Sequence, residues 1–208
     1  MHHWQKTALA LSLFSLVGCA GMSANECELA DWQAVGYEDG VQGRSSDKFG
    51  TYRKNCAKHE VAPNFQAYQA GREAGLREYC QPTRAFREGS RGAKYVGVCP
   101  VDLEGEFLES YNDGRTLYEL ESAVRSATRQ IEHRKSRMKD IESELAKIMA
   151  SLLLNDAPGE ERAALLVETK QLAEERVSLA DEVENLQKQL YDSQQQLDEH
   201  RAHLVTKL

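Results

Sequence analysis

The sequence predicts a mainly α-helical protein, a small disulfide-bonded helical head followed by a long antiparallel coiled-coil hairpin. Three observations carry this. Residues 27–118 hold four cysteines and most of the glycine and aromatic residues. Residues 119–208 hold no Cys, no Trp and one Gly, and their apolar residues recur at heptad spacing. A run of turn and breaker residues, Asn155-Asp156-Ala157-Pro158-Gly159, divides the heptads in two.

The first eighteen residues read as a signal peptide. His2, His3 and Lys6 make a weakly basic start, and Ala8–Val17 is a ten-residue apolar run, too short to remain as a bilayer span. Leu16-Val17-Gly18-Cys19 matches the bacterial lipobox. Cleavage before Cys19, with diacylglycerol on its thiol and an acyl chain on its new amine, is therefore expected. Two or more acyl chains anchor stably where one does not. The next residue is Ala20 rather than Asp, which favours the outer membrane, facing the periplasm, under the enteric sorting rule. Residues 19–26 then form a lipidated tether.

Subtracting Cys19 from five cysteines leaves Cys27, Cys56, Cys80 and Cys99. An even remainder in an oxidising compartment reads as two disulfides. Three pairings are open; Cys27–Cys56 with Cys80–Cys99 is favoured because sequential pairing closes moderate loops. Zinc is the rival reading, but no CxxC pair is present.

In the head an aromatic residue is followed three places later by glycine four times: Tyr37/Gly40, Tyr68/Gly71, Phe86/Gly89 and Tyr111/Gly114. Trp32, Gly36 and Gly40 share one helical face, as do Gly71 and Gly75, and Phe107, Tyr111, Gly114 and Tyr118 line another. Each mid-helix glycine costs about 1 kcal/mol against alanine, so the repetition needs a reason. Close helix approach, with glycine receiving a neighbour's aromatic ring, supplies one. A peptide or glycan groove is the sharper alternative. An array of β-hairpins is a third, but the repeat starts lie 31, 18 and 25 residues apart, which is irregular. Lys94–Cys99 suits a short extended segment or hairpin.

The tail is clearer. Leu120, Val124, Ala127, Ile131, Arg134, Met138, Ile141, Leu145, Ile148 and Leu152 alternate by four and three, broken only by Arg134. A second seam runs through Leu165, Leu172, Leu179, Val183, Leu186, Leu190, Leu197 and Leu204. Pro158 followed by Glu160 and Glu161 fits a helix start. The seams predict two helices folded back at 155–159, the first about forty residues and about 60 Å long. A parallel intermolecular coiled coil with a stutter there is the rival arrangement.

The spaced residues Cys27, Trp32, Gly36, Asp39, Gly40, Gly43, Cys56, Tyr68, Gly71, Gly75, Cys80, Gly89, Gly92, Cys99, Phe107, Tyr111 and Gly114 resemble the uncharacterised Gram-negative envelope lipoprotein family known as domain of unknown function 2799. The likeness covers about residues 20–120. It implies the envelope address and the disulfides, and brings no activity and no catalytic residues.

Chemistry is sparse. No HExxH, GxSxG or phosphate-binding loop is present, and neither an enzyme nor a cofactor nor a metal is expected. His200 and His203 flank a terminal helix turn; His200 reads as a polar seam residue and His203 as solvated. Asp39 and Asp113 precede glycines and read as helix or turn acids rather than a glycosidase pair. The chain has 26 Lys and Arg against 33 Asp and Glu, net −7, which argues against nucleic-acid binding. Against that background residues 53–94 hold nine basic and four acidic side chains. Arg84, Arg87, Arg91 and Lys94, expected in a loop between Cys80 and Cys99, are a candidate patch for an anionic envelope partner. The leading expectation is a non-enzymatic, membrane-anchored scaffold or adaptor, with a protein partner or a second copy at the coiled coil. The alternative is a module binding peptidoglycan or another anionic envelope polymer.

Overall fold

The computed structural model describes residues 21–154 and 158–207. The expected signal peptide, Cys19 and Asn155–Ala157 of the expected turn lie outside the described residues. Among the described residues every regular element is a helix, and the β-hairpin alternative falls away. The elements are α1 (Ala24–Leu29), α2 (Trp32–Val41), α3 (Asp47–Ala57), α4 (Phe65–Tyr79), α5 (Pro82–Ser90), α6 (Val101–Leu153) and α7 (Gly159–Lys207). One compact unit ends at Tyr79 and a second begins at Cys80. No helix among them is long and apolar enough to cross a membrane.

In the first unit, α1 opens on a capping box in which the Ser23 N–H donates to Glu26 and Ser23 Oγ accepts from the Glu26 N–H. Asp31 caps α2 by accepting from the Gln33 and Ala34 N–H groups. Helix α2 crosses α4 with backbones in contact. A Cβ on Gly40 would overlap the Arg72 carbonyl oxygen, and one on Gly75 the Tyr37 carbonyl oxygen. Gly36 and Gly71 stand likewise against Tyr68 and Gln33. The glycines therefore receive a neighbour's backbone, not the aromatic rings that the sequence suggests. Rings take that role only past the helix ends: Gly43 faces the Tyr79 ring and Gly92 the Tyr118 ring.

The second unit repeats the device. Helix α5 crosses α6 with Gly89 against Tyr111 and Gly114 against Phe86. Residue by residue, Gly40 and Gly89 correspond, as do Gly75 and Gly114, Tyr68 and Phe107, and Tyr79 and Tyr118. Both short helices end alike. Gly43, at φ +64°, and Gly92, at φ +76°, donate to the carbonyls of Gly40 and Gly89. The next N–H groups, of Arg44 and Ala93, donate to the carbonyls of Asp39 and Glu88. This is the Schellman closure, and it needs the left-handed backbone that glycine adopts freely. Disulfides Cys27–Cys56 and Cys80–Cys99, with Cα separations of 5.6 and 5.7 Å, staple one module each. Each adds about 3 kcal/mol by restricting the unfolded chain.

Two expectations are corrected here. Arg84 and Arg87 lie in helix α5, with Arg91 as its C-cap, not in a loop. Pro82 in the first turn and Gly92 just past the end are what start and stop it. The first tail helix also begins earlier than the heptads do. Helix α6 runs 53 residues from Val101, about 80 Å, and passes Tyr118 without a break. Its N-terminal stretch therefore belongs to the second glycine crossing and the rest to the heptad seam. Residues 24–29, partly within the expected tether, form α1.

Helices α6 and α7 pack as an antiparallel hairpin along the expected seam, with Ile141, Ile148 and Leu172 buried and Leu145, Leu152, Leu165 and Leu179 packed around them. Ion pairs fix the register: Arg134 to Glu182 at 3.0 Å, Arg137 to Glu175 at 2.8 Å, Arg176 to Glu142 at 2.8 Å and Arg201 to Glu121 at 2.9 Å. Arg134, the odd residue of the first seam, thus reaches across the hairpin. The forked bond from Arg137 holds the Glu175 carboxyl below the usual carboxylate range.

Gly75→Ala is expected to cost about 1–3 kcal/mol, because an added methyl must push the α2 and α4 backbones apart. Gly50→Ala, where a Cβ meets open space within α3, is expected to gain about 0.5–1 kcal/mol. Urea unfolding of these variants reads both signs.

Candidate functional site

Each glycine-crossed module buries one carboxylate, on the residue just before its crossing glycine. Asp39, on α2, is 2% exposed. Its Oδ2 accepts from the Tyr68 hydroxyl at 2.8 Å, and its Oδ1 accepts from Arg44 at 2.9 Å and from the Tyr52 hydroxyl at 3.2 Å. Arg72 on α4 donates twice to the Arg44 carbonyl, at 2.9 and 3.3 Å, tying the α2–α3 turn to α4. Trp32, Phe49, Tyr52 and Tyr68 pack as a ring cluster beside the Cys27–Cys56 disulfide. Burial, together with the bond to Asp39, raises the Tyr68 hydroxyl well above the usual tyrosine range, and Tyr52 is raised by the same causes.

In the second module Glu88 occupies the place of Asp39 and is 5% exposed. Phe107 stands where Tyr68 does and has no hydroxyl to offer. Glu88 instead takes Arg84, at 3.1 Å, on one oxygen and Arg91 on the other. This decides the fate of the candidate basic patch. Two of its four members close on a buried carboxylate, while Arg87 and Lys94 are exposed and lie outside that cluster. Tyr95 and Tyr111 replace the tyrosine–aspartate bonds of the first module. The Tyr95 hydroxyl donates to Glu104 at 3.0 Å and accepts from the Cys99 N–H at 2.9 Å. The Tyr111 hydroxyl donates to the Ala93 carbonyl at 2.8 Å. Arg115 donates to the Gly92 carbonyl at 3.0 Å, securing the Schellman turn.

These groups are bonded within their own modules. Both carboxylates are satisfied by protein donors, and Tyr68 and Tyr52 hold their protons more tightly than a free tyrosine does. The four cysteines are oxidised in pairs. Among the described residues no cluster of His, Cys, Asp and Glu has a geometry for a metal ion. His200, as its seam position suggests, lies 2.8 Å from the Asp113 carbonyl, and His203 is exposed. Asp113 accepts from Lys207 at 2.9 Å and serves the α6–α7 contact. Asp39 and Asp113 lie in different units, each bonded within its own.

Sequence alone does not single out the buried carboxylates as a matched pair. The signal is present, though: an acid directly before glycine, with a second glycine three residues on, in Asp39-Gly40-Val41-Gln42-Gly43 and in Glu88-Gly89-Ser90-Arg91-Gly92.

A family model described as a protein of unknown function (DUF2799) matches residues 31–116. The match runs from the cap of α2 through both glycine crossings and stops inside α6. No curated protein and no solved structure matches the chain.

Asp39→Asn is expected to destabilise the chain by about 2 kcal/mol, since hydrogen bonds to a charged acceptor are replaced by weaker ones. Above pH about 10 the unfolded chain releases tyrosine protons that Tyr68 keeps when folded. Stability therefore falls as pH rises through that region, and Tyr68→Phe makes the fall shallower. Denaturant midpoints measured from pH 8 to 11 test this; an unchanged slope in Tyr68→Phe contradicts it.

Proposed function

We propose, for a chain whose residues 31–116 match that family of unknown function, a non-enzymatic role as a lipid-anchored envelope scaffold or adaptor. One observation supports it above others. The buried ionisable groups of both modules, Asp39 and Glu88, are consumed by structural bonds, while α6 and α7 present long helical surface to solvent. A 53-residue helix paired with a 49-residue helix costs much chain to build. An amphipathic hairpin of this kind offers rows of side chains for a partner helix. The lipobox at Cys19 supplies the anchor, the outer membrane is the expected address, and the periplasm fits the two disulfides.

A role as a polymer-binding module draws on Arg87 and Lys94, which are exposed beside the Glu88 cluster. It is the weaker reading, because Arg84 and Arg91 already neutralise a carboxylate.

Labelled palmitate is expected to enter the full chain and to be lost in Cys19→Ala; undiminished labelling contradicts the anchor. Crosslinking in cells is expected to capture a defined protein with the full chain. That protein is lost when the distal heptads of α6 and α7 are removed symmetrically. Capture of the sacculus instead, abolished by Arg87→Glu with Lys94→Glu, supports the polymer reading.

A further inference from the structure

We propose that the α6–α7 hairpin packs side by side against the same hairpin of a second copy of this chain, with both tips at the same end. This rests on reading the hairpin as a partner-binding element, and it names the partner and the face.

The buried seam is not the only heptad row on α7. Ala163, Leu166, Lys170, Ala173, Val177 and Ala180 follow a second 3–4 alternation, and all are exposed. On α6, Ala146, Met149 and Leu153 do the same, also exposed. Each of these residues lies one position past a seam residue or its heptad equivalent. On two antiparallel helices that offset turns both rows to the same side of the hairpin. The result is one face continuous with the seam: its α7 row runs about 25 Å with one charge, Lys170, and its α6 row is apolar over Ala146, Met149 and Leu153 before it reaches Glu142 and Lys139. Leu153 is 83% exposed, Leu166 58% and Val177 61%.

The register selects the occupant. The Arg162 side chain reaches the Leu152 carbonyl, and Arg176 reaches Glu142, so Leu153 lies level with Ala163, Met149 close to Leu166, and Lys170 level with Ala146, about one turn from Glu142. A twofold axis along the hairpin sets α6 of one copy over α7 of the other at equal height. Leu153 then falls on the small Ala163 of the second copy, and Met149 meets Leu166. Lys170 then lies about one turn from Glu142 of the second copy, within the reach of two long side chains, twice by symmetry. Lys170 is open enough to pair with it, since it holds Glu174 only at 3.7 Å with 77% of its side chain exposed. Glu142 already accepts from Arg176, but its side chain is 53% exposed and can accept from Lys170 as well. A lipid surface fits worse, because it would have to bury Lys170 and Glu142 at the middle of the inserted face.

The full chain, expressed with its own N-terminus and solubilised in mild detergent, tests this by sedimentation. The wild type is expected to sediment as two chains. Leu153→Glu with Leu166→Glu is expected to give one chain with unchanged helix content and melting, since both side chains are exposed. Lys170→Glu and Glu142→Lys should each weaken pairing several-fold, and the double exchange should restore it, with melting of each variant as the control. A monomeric wild type overturns the proposal, as does a dimer indifferent to the leucine pair, or an exchange that restores nothing. So does flotation of a monomeric chain with neutral phospholipid vesicles through the same leucines. If the wild type is monomeric while the crosslinked protein partner is still captured, the pairing fails and the scaffold reading stands.

Discussion

The close passage of one helix backbone over another at paired glycines is the contact on which the rest of this structure depends. At the α2–α4 and α5–α6 crossings the neighbouring carbonyl occupies the space of a Cβ. That geometry sets how near the helices lie and hence which side chains can meet. It brings Tyr68 within reach of Asp39, and it sets the α5 turn so that Arg84 and Arg91 close on Glu88. The glycines sacrifice helix propensity, about 1 kcal/mol each, and the crossing offsets it through close packing and satisfied buried polar groups.

The crossings are one device used twice. Each has a cysteine before the short helix, a buried acid before the crossing glycine, a Schellman glycine under an aromatic ring, and a second cysteine ahead of the long helix. The copies differ where their partners differ. The first has a tyrosine for its acid and a second glycine pair, Gly36 with Gly71. The second has Ala85 and Ser110 in those places and two arginines for its acid. The second also runs its long helix on into a coiled coil, so a stapled module and an extended arm share one continuous helix. The buried carboxylates of both modules are bonded within the fold.

The heptad seam is legible in the sequence because its large apolar residues recur at a period that only a helix satisfies, and the breaker at 155–159 limits how it can fold. The disulfides are legible from an even remainder of cysteines. The glycines are legible as helix contacts, but not what they contact, since a ring or a carbonyl equally fills a missing Cβ. Helix α5 is hidden by its string of basic residues, although Pro82 and Gly92 mark its ends. The helix over 107–118 is legible from Phe107, Tyr111, Gly114 and Tyr118 on one face, but its continuity with the tail helix is not, because that spacing follows the crossing rather than a leucine heptad. The second row on α7 escapes notice because alanines carry little weight in a hydrophobic pattern, yet its spacing is as regular as the first.

Amide hydrogen exchange on the full oxidised chain tests the primacy of the glycine crossings most directly. The account predicts that the slowest amides lie in α2 and α4 around Gly36, Gly40, Gly71 and Gly75, and in α5 and α6 around Gly89 and Gly114. The solvent-facing stretches of α6 and α7 toward the hairpin tip, from Leu145 onward on α6, should exchange sooner, through local opening. Fast exchange at the crossings beside a protected distal hairpin would contradict it.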